Sequence, residues 1–153
     1  MDRWWIDEPR LLGCGNPKTP ELEALGLEGF TVIVSLLQEE EQPPGYGLAR
    51  AQDLGFARHN IAVKDFSPPT ASQLAQFVEL IERLPKGAKV VVHCQGGSGR
   101  TGTFAAAYWI TKGMVVSSAI SHVREARQHA IETAEQEAVL ADFALKWNNT
   151  QAR

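Results

Sequence analysis

One short segment of the sequence places a nucleophile and a phosphate-binding side chain close together. It follows the apolar run Lys89–His93 and reads His93-Cys94-Gln95-Gly96-Gly97-Ser98-Gly99-Arg100-Thr101-Gly102. Glycines let a backbone curl with its N–H groups inward, and such a curl at a helix N-terminus binds a tetrahedral oxyanion. The same field favours the thiolate of Cys94, which can attack phosphorus, while Arg100 can grip two phosphate oxygens. The segment therefore predicts displacement at phosphorus through a phosphocysteine intermediate.

Other interpretations of this run have weaker support. Residues 97–102 match the G-x-G-x-x-G pattern of dinucleotide loops, but the acid expected about 20 residues on is missing from Ser117 to His122. A Walker loop requires lysine where Arg100 stands. A buried structural cysteine beside a glycine turn would account for Cys94 alone. It would leave the glycines and the arginine unexplained.

Composition narrows the class of protein. The chain has 153 residues, 44% of them hydrophobic and 22% charged, which is typical of one globular domain. Its net charge of −3 gives no basic excess for nucleic acid or an anionic membrane surface, so we expect neither partner. Two cysteines, Cys14 and Cys94, make neither a disulfide framework nor a zinc pattern. No apolar run is long enough for a signal peptide or a membrane span. With so few cysteines, this predicts a cytoplasmic protein. We also expect a monomer without metal or cofactor.

The chain alternates β-rich runs with amphipathic stretches. This alternation predicts a single-domain α/β fold with a central, mostly parallel twisted sheet of about four to five strands flanked by helices. The predicted strands are Trp4–Ile6, Arg10–Cys14, Thr31–Ser35, Ala57–Val63 and Lys89–His93. The predicted helices are Thr70–Leu84, Thr101–Gly113, Ser117–Arg127 and Thr133–Trp147. Gln38–Gly47 is rich in glutamate, proline and glycine and is predicted to be an exposed loop, with the glutamates Glu39, Glu40 and Glu41 solvated.

Three segments together resemble a known family. His93-Cys94-x5-Arg100-Thr101-Gly102 resembles the HCxxGxxR[ST]G signature of the cysteine-dependent protein tyrosine phosphatase superfamily. Lys64–Pro69 resembles the general-acid loop of small atypical dual-specificity phosphatases, including archaeal and bacterial members, and Ile131–Glu137 resembles the acidic segment after their third helix. The similarity covers nearly the whole chain. It implies that residues 1–153 form one catalytic domain of the dual-specificity phosphatase type, with no metal.

The resemblance also implies a role for each matching residue. Cys94 matches the nucleophile, Asp65 the general acid and base, and Thr101 the hydroxyl that bonds the departing thiolate. His93 matches the residue that orients the loop from behind. For Asp65, a turn aspartate before Ser67 and Pro68 is the alternative. The phosphate-binding positions are Gln95, Gly96, Gly97, Ser98, Gly99 and Arg100.

The acidic segment permits two interpretations. In the resembled subgroup it faces the active site, where Glu132 or Gln136 would orient the hydrolytic water. Thr133-x-x-Gln136 is also a capping box that would open the last helix, and we favour this for Gln136 while both interpretations of Glu132 stay open. The chain departs from the family pattern at Arg127-Gln128-His129, which replaces Arg-Pro-Gly, so the resemblance does not predict the path of the segment that follows.

The implied activity is hydrolysis of phosphotyrosine, and of phosphoserine and phosphothreonine, in protein or peptide substrates whose phosphate occupies the loop. Two alternatives remain: a non-catalytic phosphoprotein-binding module, and the same chemistry on a lipid, nucleotide or RNA phosphate. The segment Gln95–Gly99 lacks the lysines usual in phosphoinositide phosphatases, and Gly99 replaces the asparagine of RNA triphosphatase relatives. Lys64 replaces the proline usual before the acid, so we expect a more mobile loop whose lysine could meet an anionic substrate. For Cys14 we favour a buried thiol over a regulatory disulfide with Cys94.

Overall fold

A five-stranded sheet organises the molecule, as the computed structural model, which describes residues 1–151, shows. The strands are β1 (Arg3–Asp7), β2 (Leu11–Cys14), β3 (Phe30–Ser35), β4 (Ala57–Asn60) and β5 (Lys89–His93). The helices of the described residues are α1 (Thr19–Leu27), α2 (Leu48–Asp53), α3 (Ala71–Arg83), α4 (Gly99–Thr111), α5 (Val116–Ala126) and α6 (Ala134–Gln151). The predicted α/β class with a mostly parallel sheet is confirmed.

The central strand, β5, leads directly into the segment that begins at Cys94. The strand order is β1-β2-β5-β3-β4, with β1 antiparallel at one edge and the other four strands parallel. β5 is apolar and β-branched, as a strand covered on both faces should be. His93 lies in register with Cys14 on β2 and Ser35 on β3. The carboxyl ends of three parallel strands therefore meet at one edge, where open α/β sheets bind ligands, and Cys94 follows immediately.

Two apolar layers hold the sheet between helices. Helices α3, α4, α5 and α6 pack on one face, and α1 and α2 contribute to a smaller cluster on the other. The α3 stripe is buried as its spacing predicts, and Phe77 packs edge to face on Phe104 of α4 with ring centroids 5.3 Å apart. Thr70 caps α3 by accepting the N–H of Gln73 at 3.0 Å. This packing fixes α4, and with it the loop that precedes it.

Several predicted boundaries are wrong. The fourth strand ends at Asn60, not Val63: Ile61 and Val63 still donate to main-chain oxygens of Ser35 and Leu36, but the chain leaves the regular ladder there. Helix α4 begins at Gly99 instead of Thr101, and α6 continues past Trp147 to Gln151. The helices α1 and α2 were not predicted. Among residues 1–151, no helix is both long enough and apolar enough to cross a bilayer.

The loop between β3 and α2 is not simply exposed, which corrects the prediction for Gln38–Gly47. Tyr46 is buried and Gln42 is half-buried. Glu39 is also half-buried, because it pairs with Arg58 of β4 and accepts the hydroxyl hydrogen of Ser35 at 3.0 Å. Of the three glutamates, only Glu40 and Glu41 are solvated. The loop therefore folds back over the carboxyl edge of the sheet.

Candidate active site

The backbone from Cys94 to Arg100 forms a tight curl between β5 and α4. Gly97 has φ +80°, and a Cβ there would lie 2.6 Å from the main-chain nitrogen of Gly15. Only glycine fits both the backbone angle and the space. Trp4 donates its indole N–H to the Gly97 carbonyl at 2.8 Å, which holds the curl against the first two strands. We call residues 94–100 the cradle.

The thiol of Cys94 lies inside the cradle and receives two hydrogen bonds. The Gly97 N–H donates to Sγ at 3.2 Å, and Thr101 Oγ1 donates to Sγ at 3.0 Å. Both residues are buried, and Thr101 lies in the first turn of α4, so its hydrogen bond places Sγ near the N-terminus of that helix, where the helix dipole favours negative charge. Hydrogen-bond donors and a helix N-terminus are the surroundings that stabilise a thiolate.

Arg100 connects the cradle to two other segments. Its Nη1 donates to the Val63 carbonyl at 2.9 Å, and Nη2 donates to Gln42 Oε1 at 2.9 Å. Nη2 also lies 3.2 Å from Asp65 Oδ1, in an ion pair with one buried and one partly exposed partner. The structure thus brings the predicted acid and the predicted phosphate-binding arginine together.

Asp65 occupies the loop between β4 and α3, which we call the acid loop (residues 61–70). Its carboxylate accepts hydrogen bonds from the Phe66 N–H at 3.0 Å and from Gln42 Nε2 at 2.9 Å. Phe66 has φ +62°, which is strained for a residue with a side chain, and its ring is exposed. Lys64 is exposed beside Asp65. The carboxylate itself is held from three sides.

A buried chain of hydrogen bonds supports the cradle from behind. His93 Nδ1 lies 3.3 Å from the Cys94 carbonyl, and Nε2 lies 2.8 Å from the Tyr46 hydroxyl. Arg58 Nε donates to that hydroxyl at 3.1 Å. Burial lowers the pKa of His93 to about 4, so the ring is neutral at pH 7. Because a carbonyl only accepts, the ring hydrogen lies on Nδ1, and Tyr46 donates to Nε2.

The segment after α5 lies along the rim of the cradle. Arg127 Nε donates to Ser98 Oγ at 3.0 Å, and the Ile131 N–H donates to the Ser98 carbonyl at 3.3 Å. Glu132 follows and packs against Gly99 so closely that a methyl group on Gly99 would collide with its carboxyl group. The route that the Arg127-Gln128-His129 sequence left open therefore runs directly beside the cradle.

Gln136 forms the capping box that the sequence favours for it. Its N–H donates to Thr133 Oγ1 at 3.1 Å, and its Oε1 accepts the N–H of Thr133 at 3.2 Å. Its Nε2 also donates to the Ser67 carbonyl at 3.3 Å, so one buried side chain joins α6 to the acid loop. Gln136 therefore supports the loop that carries Asp65.

Cys14 lies at the end of β2 as a buried free thiol. Burial raises its pKa to about 12, which keeps it protonated. Within residues 1–151, no three His, Cys, Asp or Glu side chains gather closely enough to hold a metal ion.

Sequence reasoning missed three side chains of this site: Gln42, Tyr46 and Arg58. A lone aromatic in a polar loop was the one available signal for Tyr46. No pattern in the sequence singled out Gln42 or Arg58, because their partners come from distant segments.

Comparison with known proteins identifies one family model, one curated relative and two solved structures. The family model described as "Tc-R-P: Polymorphic toxin system, DSP-PTPase phosphatase" matches residues 10–114. The dual specificity protein phosphatase CDC14B of Mus musculus is 30% identical over 103 residues, 67% of this chain, and the chain spans 21% of that protein. The crystal structure of Tk-PTP in the active form has a TM-score of 0.85 at 32% identity, covering 93% of this chain and 95% of that one. The fold is also shared with PTPMT1 in complex with PI(5)P, with a TM-score of 0.86 at 21% identity over 99% of both chains.

Proposed function

The chain belongs to the DSP-PTPase phosphatase family, and from this premise we propose that it hydrolyses phosphotyrosine, phosphoserine and phosphothreonine in proteins through a phosphocysteine intermediate. One observation carries the proposal. Cys94 Sγ accepts two hydrogen bonds inside the cradle, while Asp65 and Arg100 lie 3.2 Å apart beside it. Nucleophile, phosphate-binding cation and acid are thereby gathered at one edge of the sheet.

The first step transfers the phosphoryl group to the protein. The cradle amides and Arg100 bind the phosphate oxygens and stabilise the charge of the transition state. The Cys94 thiolate attacks phosphorus, so that a P–S bond forms as the ester P–O bond breaks. Asp65 gives its proton to the departing oxygen, which would otherwise leave as an alkoxide or phenoxide.

The second step regenerates the thiolate. Water attacks the phosphocysteine, its proton passes to the Asp65 carboxylate, and the P–S bond breaks to release inorganic phosphate. The sulfur leaves as a thiolate that accepts the hydroxyl hydrogen of Thr101, 3.0 Å away in the resting structure. We assign to Glu132 the orientation of this water, because its carboxyl group packs against Gly99 at the rim of the cradle.

The class of substrate is inferred from the side chains of the cradle. The variable positions Gln95, Gly96, Ser98 and Gly99 carry no charge, so they add no cation for a second phosphate. The rim cation Arg127 already donates to Ser98 Oγ and to the Gly96 carbonyl. This feature favours phosphoproteins over polyphosphorylated lipids or RNA ends. A thiolate nucleophile needs a reducing compartment, so we place the chain in the cytoplasm. We also propose that it acts as a monomer.

The proposal is tested by phosphate release from an aryl phosphate and from phosphotyrosine and phosphoserine peptides, with a chelator present. We expect turnover by the unmodified chain, background rates for Cys94→Ser, and near-normal rates for the control Cys14→Ala. Asp65→Ala should slow transfer from alkyl phosphates by about 10²- to 10⁴-fold and from activated phenols much less. Turnover that survives Cys94→Ser would exclude the mechanism. Stable phosphopeptide binding without turnover would identify a binding module instead.

A further inference from the structure

We propose that Gln42 is a positioning residue for the acid–base step, an inference that rests on the function proposed above. Its amide joins the two charged groups of the site. Nε2 donates to Asp65 Oδ2 at 2.9 Å, and Oε1 accepts from Arg100 Nη2 at 2.9 Å. Cradle and acid loop are therefore linked by one uncharged side chain from a third segment.

The chemistry of the amide suits this place. Arg100 only donates and the ionised Asp65 only accepts, so their bridge must accept at one atom and donate at the other. A glutamate could not donate to Asp65 when ionised, and a lysine could not accept from Arg100. The two partners also fix the orientation of the Gln42 amide, with its oxygen toward the guanidinium.

Gln42 matters most once substrate enters. In the resting structure Nη2 of Arg100, which carries two hydrogens, serves both Gln42 and Asp65. A phosphate dianion competes with Asp65 for this cation. When the phosphate displaces Asp65, Oδ1 is released to carry the proton for the leaving group, while Gln42 still holds Oδ2. The acid then stays over the cradle without its ion pair.

The remaining anchors of the acid loop hold its backbone and not its acid. Gln73 Nε2 donates to the Ala62 carbonyl at 2.9 Å, and Gln136 Nε2 donates to the Ser67 carbonyl at 3.3 Å. Between these points the chain passes through the strained backbone of Phe66. Besides the Phe66 N–H, Gln42 is the group that would still fix the Asp65 carboxylate after Arg100 turns to phosphate.

Gln42 is itself held in place. Its N–H donates to the Gln38 carbonyl at 2.9 Å, closing a turn. The Asn16 side chain holds the next part of the loop: it donates to the Pro43 carbonyl at 3.0 Å and accepts the Gly45 N–H at 2.8 Å. Tyr46 buries the end of the loop. A side chain on such a braced turn meets the acid with little loss of conformational freedom.

The test measures kcat/KM of Gln42→Ala over phosphate monoesters whose leaving groups range from activated phenols to alkyl alcohols. Loss of a hydrogen bond to a charged group predicts a decrease of about 10- to 100-fold for alkyl phosphates and less than about 3-fold for activated phenols. In an Asp65→Ala background the same substitution should have almost no effect. The control Glu41→Ala, exposed on the same turn, should match the unmodified chain with every substrate.

Gln42→Glu separates the two halves of the bridge. It keeps an acceptor for Arg100 but sets a second carboxylate against Asp65 Oδ2. We expect a larger loss with alkyl phosphates than in Gln42→Ala at pH 7, and partial recovery at acidic pH, where a protonated glutamic acid can donate.

Two results would overturn the assignment. One is a loss in Gln42→Ala that is equal for all leaving groups, and the other is a loss that persists undiminished in the Asp65→Ala background. Either would make Gln42 a structural or substrate-binding residue and leave the proposed phosphatase mechanism intact. That mechanism fails separately, by turnover in Cys94→Ser.

Discussion

Tyr46 donates its hydroxyl hydrogen to Nε2 of His93 across 2.8 Å, and so joins the loop after β3 to the residue that precedes Cys94. The other ring nitrogen of His93 faces the Cys94 carbonyl. Arg58 Nε donates to the Tyr46 hydroxyl from β4. The Cys94 carbonyl thus fixes the tautomer of the ring, and a loop that contributes nothing to the cradle backbone fixes its direction.

Tyr46→Phe removes this link and leaves His93 Nε2 buried without a partner. The cost of an unsatisfied buried polar atom predicts a decrease in the free energy of unfolding of about 1–3 kcal/mol. Urea denaturation measures it, and because phenylalanine keeps the ring, the change reports the lost hydroxyl alone. A Tyr46→Phe protein as stable as the unmodified chain would show that the hydrogen bond contributes nothing to folding.

The stability of the chain should depend on pH through His93. Burial lowers its pKa to about 4 in the folded state from 6.5 when exposed, so between these values the unfolded chain binds the extra proton. Stability is therefore complete above pH 6.5 and falls as the pH drops toward 4, by about 3 kcal/mol. Urea midpoints across this range should lose part of this slope in His93→Gln and keep it in His129→Gln, which alters an exposed ring. Equal slopes in all three proteins would contradict the prediction.

Neighbouring glycines of the cradle should respond differently to alanine. A Cβ at Gly97 would meet the main chain of Cys14 and Gly15 and require φ +80°, whereas a Cβ at Gly96 has no atom within 4 Å. We expect Gly97→Ala to lose at least about 1 kcal/mol of stability from the backbone angle alone, and activity falls with the shape of the cradle. Gly96→Ala should retain both. Thermal unfolding and aryl phosphate turnover compare the two, and matching behaviour would refute the steric argument.

Thr101→Val should slow the hydrolysis of the phosphocysteine at Cys94 more than it slows the formation of that intermediate. The variant keeps the shape of the buried side chain but removes the hydroxyl that bonds Sγ at 3.0 Å. A hydrogen bond to a departing thiolate predicts a decrease in kcat of about 10- to 100-fold. Rapid mixing should then show a burst of phenol followed by a slow steady state. A steady state as fast as that of the unmodified chain would remove Thr101 from the second step.

Local patterns were sufficient for the central strands and the cradle. Lys89–His93 is apolar and β-branched, and the glycines that follow permit few backbone paths, so both could be predicted. Helix α1 could not, because only Leu22 and Leu25 of its residues are buried while Leu27 is 92% exposed, and no continuous stripe results. Helix α2 buries only Ala51.

The contacts around Asp65 depend on tertiary structure. The sequence could identify Asp65 by its loop, but the amide that holds it comes from a segment whose prolines, glycines and glutamates are typical of exposed loops. The prediction that Glu39 is solvated is wrong for the same reason. Its charge is typical of the surface, and only the approach of Arg58 from β4 accounts for its partial burial. Such pairings have no signature in a single sequence.

Because β2, β5 and β3 are parallel, the proposed site lies at their carboxyl ends, and the amino ends of the same strands carry none of its residues. The turn that enters β5 lies at the opposite edge of the sheet from Cys94, separated from it by a five-residue strand, or about 16 Å. Lys86 in this turn is exposed and offers an amine for attachment. A dye, an affinity tag or an inserted domain attached at this turn would lie at the far end of the central strand from the cradle. The protein can therefore be labelled or immobilised there while the cradle stays open to solvent.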